Sequence, residues 1–344
     1  MKKLVVGYGI ILLAALSLVS CRSGNEGGTV QKKGSSGKTL EVLVVANEDV
    51  YTGETRELID SIFSAPQQGL PEMESKFDVV NIPVSSFKNT EMFKVHRNVL
   101  LMDIGPENPD KVYVQVDAYS APQVIADFAC KDANSLRSNL RKYQEYIVGE
   151  IYKAEHRRVQ KAFAGMQNYE VNAAIKEKFG FGLMFSNEFS LVKEAPDFVW
   201  VRKEAKDFGI GVLVDVFPYA SVQDFDEDHI LDRLDSTMKR YVPASAENSY
   251  MGIERRRDDM GNYLAPIYNK VVSFDSSAYS VETRGWWRAF GDFMGGPFVT
   301  YTVLSPDKKR VVMLTGYVYC PRNKPWTKRD LLMQLEGICW SLKW

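Results

Sequence analysis

The chain has 344 residues, with 43 Lys and Arg against 44 Asp and Glu and a formal net charge of −1. This balance excludes a protein that holds nucleic acid through its phosphates, since such binding needs a strongly basic surface. At 45% hydrophobic and 12% aromatic residues the chain can bury a substantial core, and its length suits about two domains or one large one.

The first element in chain order is a secretory signal over residues 1–20. Lys2 and Lys3 supply its positive start, and residues 4–19 its apolar stretch, broken by Gly7, Gly9 and Ser17. That stretch is shorter than the roughly 20 apolar residues of a spanning helix. Leu18-Val19-Ser20-Cys21 resembles the cleavage site of bacterial lipoproteins. The resemblance implies cleavage before Cys21, diacylglycerol on its sulfur and an acyl group on its new amino group. Several acyl chains anchor stably where one binds only marginally. The expectation is therefore a protein anchored to a membrane through Cys21 and not spanning it. Removing Lys2 and Lys3 leaves 41 basic and 44 acidic residues, a formal charge of −3.

Residues 21–38 hold the lipidated Cys21 and a linker, 22–38, with five Gly and three Ser. A chain of this kind has a root-mean-square span of about 20–25 Å, which would hold the body just clear of the lipid. Arg22 is not the aspartate associated with inner-membrane retention in enteric lipoproteins. The segment after Cys21 also lacks the acidic cluster of surface-exported lipoproteins. The periplasmic face of the outer membrane is the expected location in the cell envelope.

The body opens with a Val-rich strand at 40–46, a helix at 52–63 and a strand at 77–82. Strands follow at 98–104, 111–117 and 123–130. A long helix at 134–163 comes next, with Leu136, Leu140, Tyr143, Ile147 and Ile151 at helical spacing. A shorter helix at 170–179 ends at Gly180 and completes a helical hairpin. Beyond it, strands at 197–202 and 209–216 precede a helix at 227–240, and strands at 298–304 and 310–319 precede a helix at 328–343. The last helix has Thr327 and Asp330 at capping-box spacing and an apolar stripe through Leu331, Leu335, Ile338 and Leu342. The pattern predicts an α+β fold: antiparallel sheets with helices packed on one face. Repeated strand-strand-helix units make two halves, 39–164 and 165–344, joined by the helical hairpin.

Two stretches of the second half carry a family resemblance. One runs from Arg284-Gly285-Trp286-Trp287 through Phe293-Met294-Gly295-Gly296-Pro297-Phe298. The other is Gly316-Tyr317-Val318-Tyr319-Cys320-Pro321, followed by Leu335-Glu336-Gly337-Ile338. The chain resembles the Bacteroidetes lipoprotein family called domain of unknown function 4837, over nearly all of its length after the signal. The resemblance implies a lipoprotein of a two-membraned bacterium and brings no catalytic residue with it.

Few residues suit catalysis. His96, His156 and His229 lack metal-ligand spacing, and no nucleophile elbow, phosphate loop or Cys-x-x-Cys is present, so no metal or cofactor is expected. Asp224, Asp226, Glu227 and Asp228 read as a helix cap more readily than as a cation site. The run 254–259 reads as a solvated loop of opposite charges. Cys320 and Cys339 are expected at opposite ends of a strand and its returning helix, too far apart to bond. The segment 284–298 offers a candidate ligand surface: Trp286, Trp287, Arg288 and Asp292. Aromatic faces beside polar groups hold sugar rings or peptides. The competing reading is a short buried helix with Trp286, Phe290 and Phe293 on one face, and packing is preferred because aromatic side chains dominate core burial. Two functions remain. One is a non-enzymatic envelope protein that binds an envelope protein or glycan or maintains the envelope. The other is a glycan-acting enzyme or accessory, which would need Glu282 and Asp292 about 5–9.5 Å apart.

Overall fold

The computed structural model describes residues 32–274, 277–322 and 325–344. The signal, Cys21 and the first part of the linker lie outside the described residues.

The first sheet is built from β1 (Glu41–Val45), β2 (Asp78–Ile82), β3 (Asn98–Ile104), β4 (Lys111–Val116) and β5 (Val124–Cys130), in the order β2-β1-β3-β5-β4. It departs from the expected antiparallel arrangement. β1 runs parallel to both β2 and β3, and β3 runs parallel to β5; only β4 and β5 are antiparallel. The reason lies in the connections. α1 (Gly53–Phe63) carries the chain back across the sheet, burying Ile59, Ile62 and Phe63, so that β2 starts from the same end as β1. The short helices α2 (Val84–Asn89) and α3 (Glu91–Lys94) do the same before β3. Both faces of this sheet are covered. Val42 and Val44 pack toward α1 and the long α4 (Ala133–Ala164), while Leu43 and Val45 meet Phe87 and Phe93 on the other side. α4 is about 48 Å long. Asp132 caps it by accepting from the Ser135 amide.

The second half begins with α5 (Tyr169–Phe179), capped by Asn168 and ended at Gly180 in the left-handed region. Then come β6 (Ser190–Ala195), β7 (Phe198–Glu204), β8 (Gly209–Pro218), α6 (Glu227–Tyr241), β9 (Tyr250–Ile253), β10 (Tyr268–Val271), β11 (Tyr279–Phe290), β12 (Gly295–Leu304), β13 (Arg310–Tyr319) and α7 (Lys328–Cys339). The sheet order is β10-β11-β12-β13-β8-β7-β6, and every neighbouring pair is antiparallel. β9 joins the far end of β11, opposite Trp287 to Phe290.

The α+β class holds, as does the strand-strand-helix order: β4-β5-α4, β7-β8-α6 and β12-β13-α7. Helices on one face do not. One face of the large sheet packs Val199, Val212, Val299 and Leu314 against Leu331, Leu335 and Ile338 of α7. The opposite face packs Phe198, Trp200, Leu213 and Met313 against Ile230, Leu231, Leu234 and Met238 of α6. Strands apolar on both faces need a layer on each side.

The helical hairpin is also revised. α4 lies along α7, whereas α5 buries Val171, Ile175 and Phe179 in the large sheet's core. Phe181, Phe185 and Phe189 draw it there. α7 is buried nearly all round, with Met333 in the first half's core and Leu335 in the second's. Glu74, from the first half, accepts from the backbone amides of Lys328 and Arg329 and so caps α7. α7 thereby joins both cores. Among the described residues, no helix is long and apolar enough to cross a membrane.

Candidate functional site

β11 organises the segment singled out from sequence. It is a strand and not a short helix, so its side chains alternate between faces with a period of two. Val281, Trp287 and the backbone of Gly285 face α6, while Glu282, Arg284 and Trp286 face the other way. Trp287 is buried. Its Nε1 donates to the Val318 carbonyl over 3.0 Å, and its ring meets Tyr317 edge-on. This bond depends on Gly296: a Cβ there would stand 2.0 Å from the same carbonyl oxygen.

Trp286, Trp287 and Arg288 come together around one open cleft of about 350 Å³. Phe293, at the β11–β12 turn, is wholly exposed at its edge. The polar groups of the cleft arrive from distant parts of the chain. Glu72 accepts from Lys328 Nζ over 2.7 Å, and Glu254 holds Arg256 at 2.6 Å and Arg288 at 3.5 Å. These salt links hold the Glu254 carboxyl below the usual carboxylate range, Arg256 acting most strongly. Arg288 also lies 4.6 Å from the centre of the Phe290 ring.

Asp292 lies outside this cleft. Its Oδ2 accepts from the Ser245 amide at 3.2 Å and its Oδ1 from the Phe293 amide at 2.6 Å, which pins the turn to the 243–249 loop. Glu282 is further off still. Eight residues of extended strand separate it from Phe290, about 27 Å, so it does not face Asp292 across a glycosidic bond.

Glu282 belongs instead to a buried ionic network that the sequence reading missed. Arg284 Nε donates to Glu282 Oε1 and Arg284 Nη2 to Glu336 Oε1, each at 2.8 Å. Lys270 Nζ reaches Glu282 at 3.0 Å, and His156 Nε2 lies 3.4 Å from Glu336 Oε2. Glu282, Arg284, Glu336 and His156 are all 6% exposed or less. The network joins β10 and β11, α7 and α4, and so spans both halves. Burial opposes the charge on Glu282, but Arg284 and then Lys270 outweigh it and hold the carboxyl at about 2, below its usual 4.5. Glu336 is likewise held down: burial raises it, and Arg284 and His156 more than offset this. Glu282 is a stronger acid folded than unfolded. The network thus contributes its full stability above pH 4.5 and loses it as pH falls toward 2. Urea unfolding measured at a series of pH values should show stability dropping through that window; a flat profile would count against the network.

The other singled-out residues have structural partners. His156 is buried and stacks on Trp340 at 5.2 Å. His96 is also buried, its Nε2 2.7 Å from Glu41. Asp224 closes a capping box with Ser221. Asp228, Asp232 and Asp235 on α6 converge on Arg255, so the run 254–259 is tied to the helix and is not a free loop. Cys130, Cys320 and Cys339 are buried and free. Among the described residues, no group of three or more His, Cys, Asp or Glu side chains could hold a metal.

The motif stretches of the second half meet in space: β11, β12 and β13 are successive neighbours in the sheet, and α7 packs on β13. No curated protein matches the chain. A family model described as Domain of unknown function (DUF8532) matches residues 35–164, so the resemblance expected over nearly the whole body is divided between two models. The other, described as Domain of unknown function (DUF4837), matches residues 168–341, half of the chain, and the chain belongs to that family.

Proposed function

We propose that this protein is a lipid-anchored envelope protein of a Bacteroidetes bacterium whose body binds an envelope component without transforming it. The anchor is Cys21, acylated after removal of residues 1–20, and the body hangs from the periplasmic face of the outer membrane by the linker 22–38. Lys2 and Lys3, the short apolar stretch and Leu18-Val19-Ser20-Cys21 support this part of the reading.

The observation that carries the binding role is the convergence of Trp286, Trp287 and Arg288 on one cleft, with Phe293 exposed at its edge. Half-buried and exposed aromatic faces take up a sugar ring or a peptide side chain, and a guanidinium orients a carboxylate. The distance between Glu282 and Asp292, and the engagement of both in structural contacts, weighs against the glycan-hydrolysing alternative.

A soluble peptidoglycan fragment, a disaccharide carrying its stem peptide, presents both kinds of group and makes a suitable probe. Titrated into the detergent-solubilised full chain, it should change tryptophan fluorescence saturably. Trp286→Ala and Phe293→Ala should each weaken binding about tenfold, the loss of a hot-spot aromatic. Because Phe293 is exposed, its variant separates lost binding from lost folding. Equal binding by wild type and both variants would remove the cleft from the account.

A further inference from the structure

A second cavity, of about 780 Å³, is lined in part by His156 of the ionic network. One wall is a face of α4, with Lys153, His156, Arg157 and Gln160 at spacings of three and four residues. The other is the C-terminal segment, with Trp340, Lys343 and Trp344, together with Phe274. His156, Trp340 and Phe274 form one stack, with ring centres 5.2 Å and 4.1 Å apart in turn. The stack makes a rigid floor.

Two observations bear on what enters. First, among the described residues, two of the lining rings carry a buried nitrogen with no hydrogen-bond partner, His156 Nδ1 and Trp344 Nε1. Buried polar groups are rarely left so, and an indole N–H can only donate. The Trp344 indole N–H, on the cavity wall, is thus short of an acceptor. Second, among the described residues, the lining side chains include three cations, Lys153, Arg157 and Lys343, and one carboxylate, Glu150. Lys153 holds Glu150 and Arg157 holds Asp117, each at 2.8 Å, but Lys153 is 64% exposed and Arg157 42%. The Lys153–Glu150 pair, exposed on the lysine side, is worth little and exchanges readily for another anion, whereas Arg157 grips Asp117 with two hydrogen bonds, at 2.8 Å and 3.3 Å, and lends its charge to the cavity.

We propose that this cavity binds a small organic anion, a carboxylate or phosphate ester on a ring-sized apolar body. Arg157 and Lys153 hold the anionic oxygens, and Trp344 and the aromatic floor hold the body. The volume suits such a molecule and far exceeds a bare ion's needs. This site is separate from the Trp286 cleft and does not depend on it.

Isothermal titration of the detergent-solubilised full chain with 1-naphthyl phosphate, 1-naphthol and inorganic phosphate tests the proposal. The ester should bind at one saturable site. Naphthol and inorganic phosphate should each bind at least about tenfold more weakly, since each lacks one of the two recognised parts. Lys153→Gln, at an exposed position, and Arg157→Gln, at a half-buried one, should each weaken the ester about tenfold, while Phe293→Ala leaves it unaltered. No saturable binding of the ester, equal binding of naphthol, or wild-type binding by the Lys153→Gln/Arg157→Gln double variant would overturn it.

Discussion

Replacing Arg284 by Met should lower the unfolding free energy by about 3–5 kcal/mol, the usual cost of removing one partner from a buried ion pair. Arg284 is the hub of the network and, among the described residues, the one ion-paired with both buried carboxylates, at 2.8 Å each. Without it, Glu282 keeps Lys270, which lies toward solvent, and Glu336 keeps His156. Adding Glu282→Gln should cost less than the sum of the single changes, because the second substitution removes a charge the first left without its main partner. Urea unfolding followed by tryptophan fluorescence measures both effects. A loss below about 1 kcal/mol, the value of an exposed pair, would mean that the network is open to water.

Gly337→Ala should also destabilise the protein, by about 1–3 kcal/mol, although helix propensity alone predicts a gain of up to about 1 kcal/mol. The two effects have opposite signs, so the direction of the measured change decides between them. A Cβ at 337 would lie 2.5 Å from Val159 Cβ, where α7 crosses α4. Val159→Ala should rescue little, since the closest contact is with Cβ itself and that atom remains. The clash also falls beside Glu336, so separating the helices would pull its carboxylate away from His156 on α4. A stabilised Gly337→Ala variant would show that the helices cross more loosely than the structure has them.

Much of the fold was legible because apolar spacing reports burial directly. The Val-rich β1, the stripe of α4 and the capped, apolar α7 all follow it. β11 was obscured for a physical reason. Its strand period places Glu282 and Arg284 on an inward face, and charged residues at buried positions erase the apolar alternation that marks a strand. Their burial is made tolerable by Glu336, 52 residues beyond Arg284, a partner no local window contains. The exposed edge strand β6 and the four-residue β9 and β10 left similarly weak signals. Parallel pairing in the first sheet depends on how crossover helices return the chain, which spacing alone does not fix.

The candidate site was legible in part for the same reason. The aromatic density of 284–298 drew notice to Trp286, Trp287 and Arg288, and these do share a cleft. Glu72 and Lys328, which complete it, come from loops and helix ends that approach only in the folded chain. Asp292 matched in chemistry but points to a different loop, because the turn that carries it reverses direction just past β11.

The proposed function begins with the anchor, and mass spectrometry of the N-terminal proteolytic fragment from membrane-extracted protein tests it most directly. A lipid-anchored protein should yield a fragment that begins at Cys21, with a diacylglyceryl group on sulfur and an acyl group on the α-amine. A fragment with Ser20 still joined to an unmodified Cys21 would contradict it.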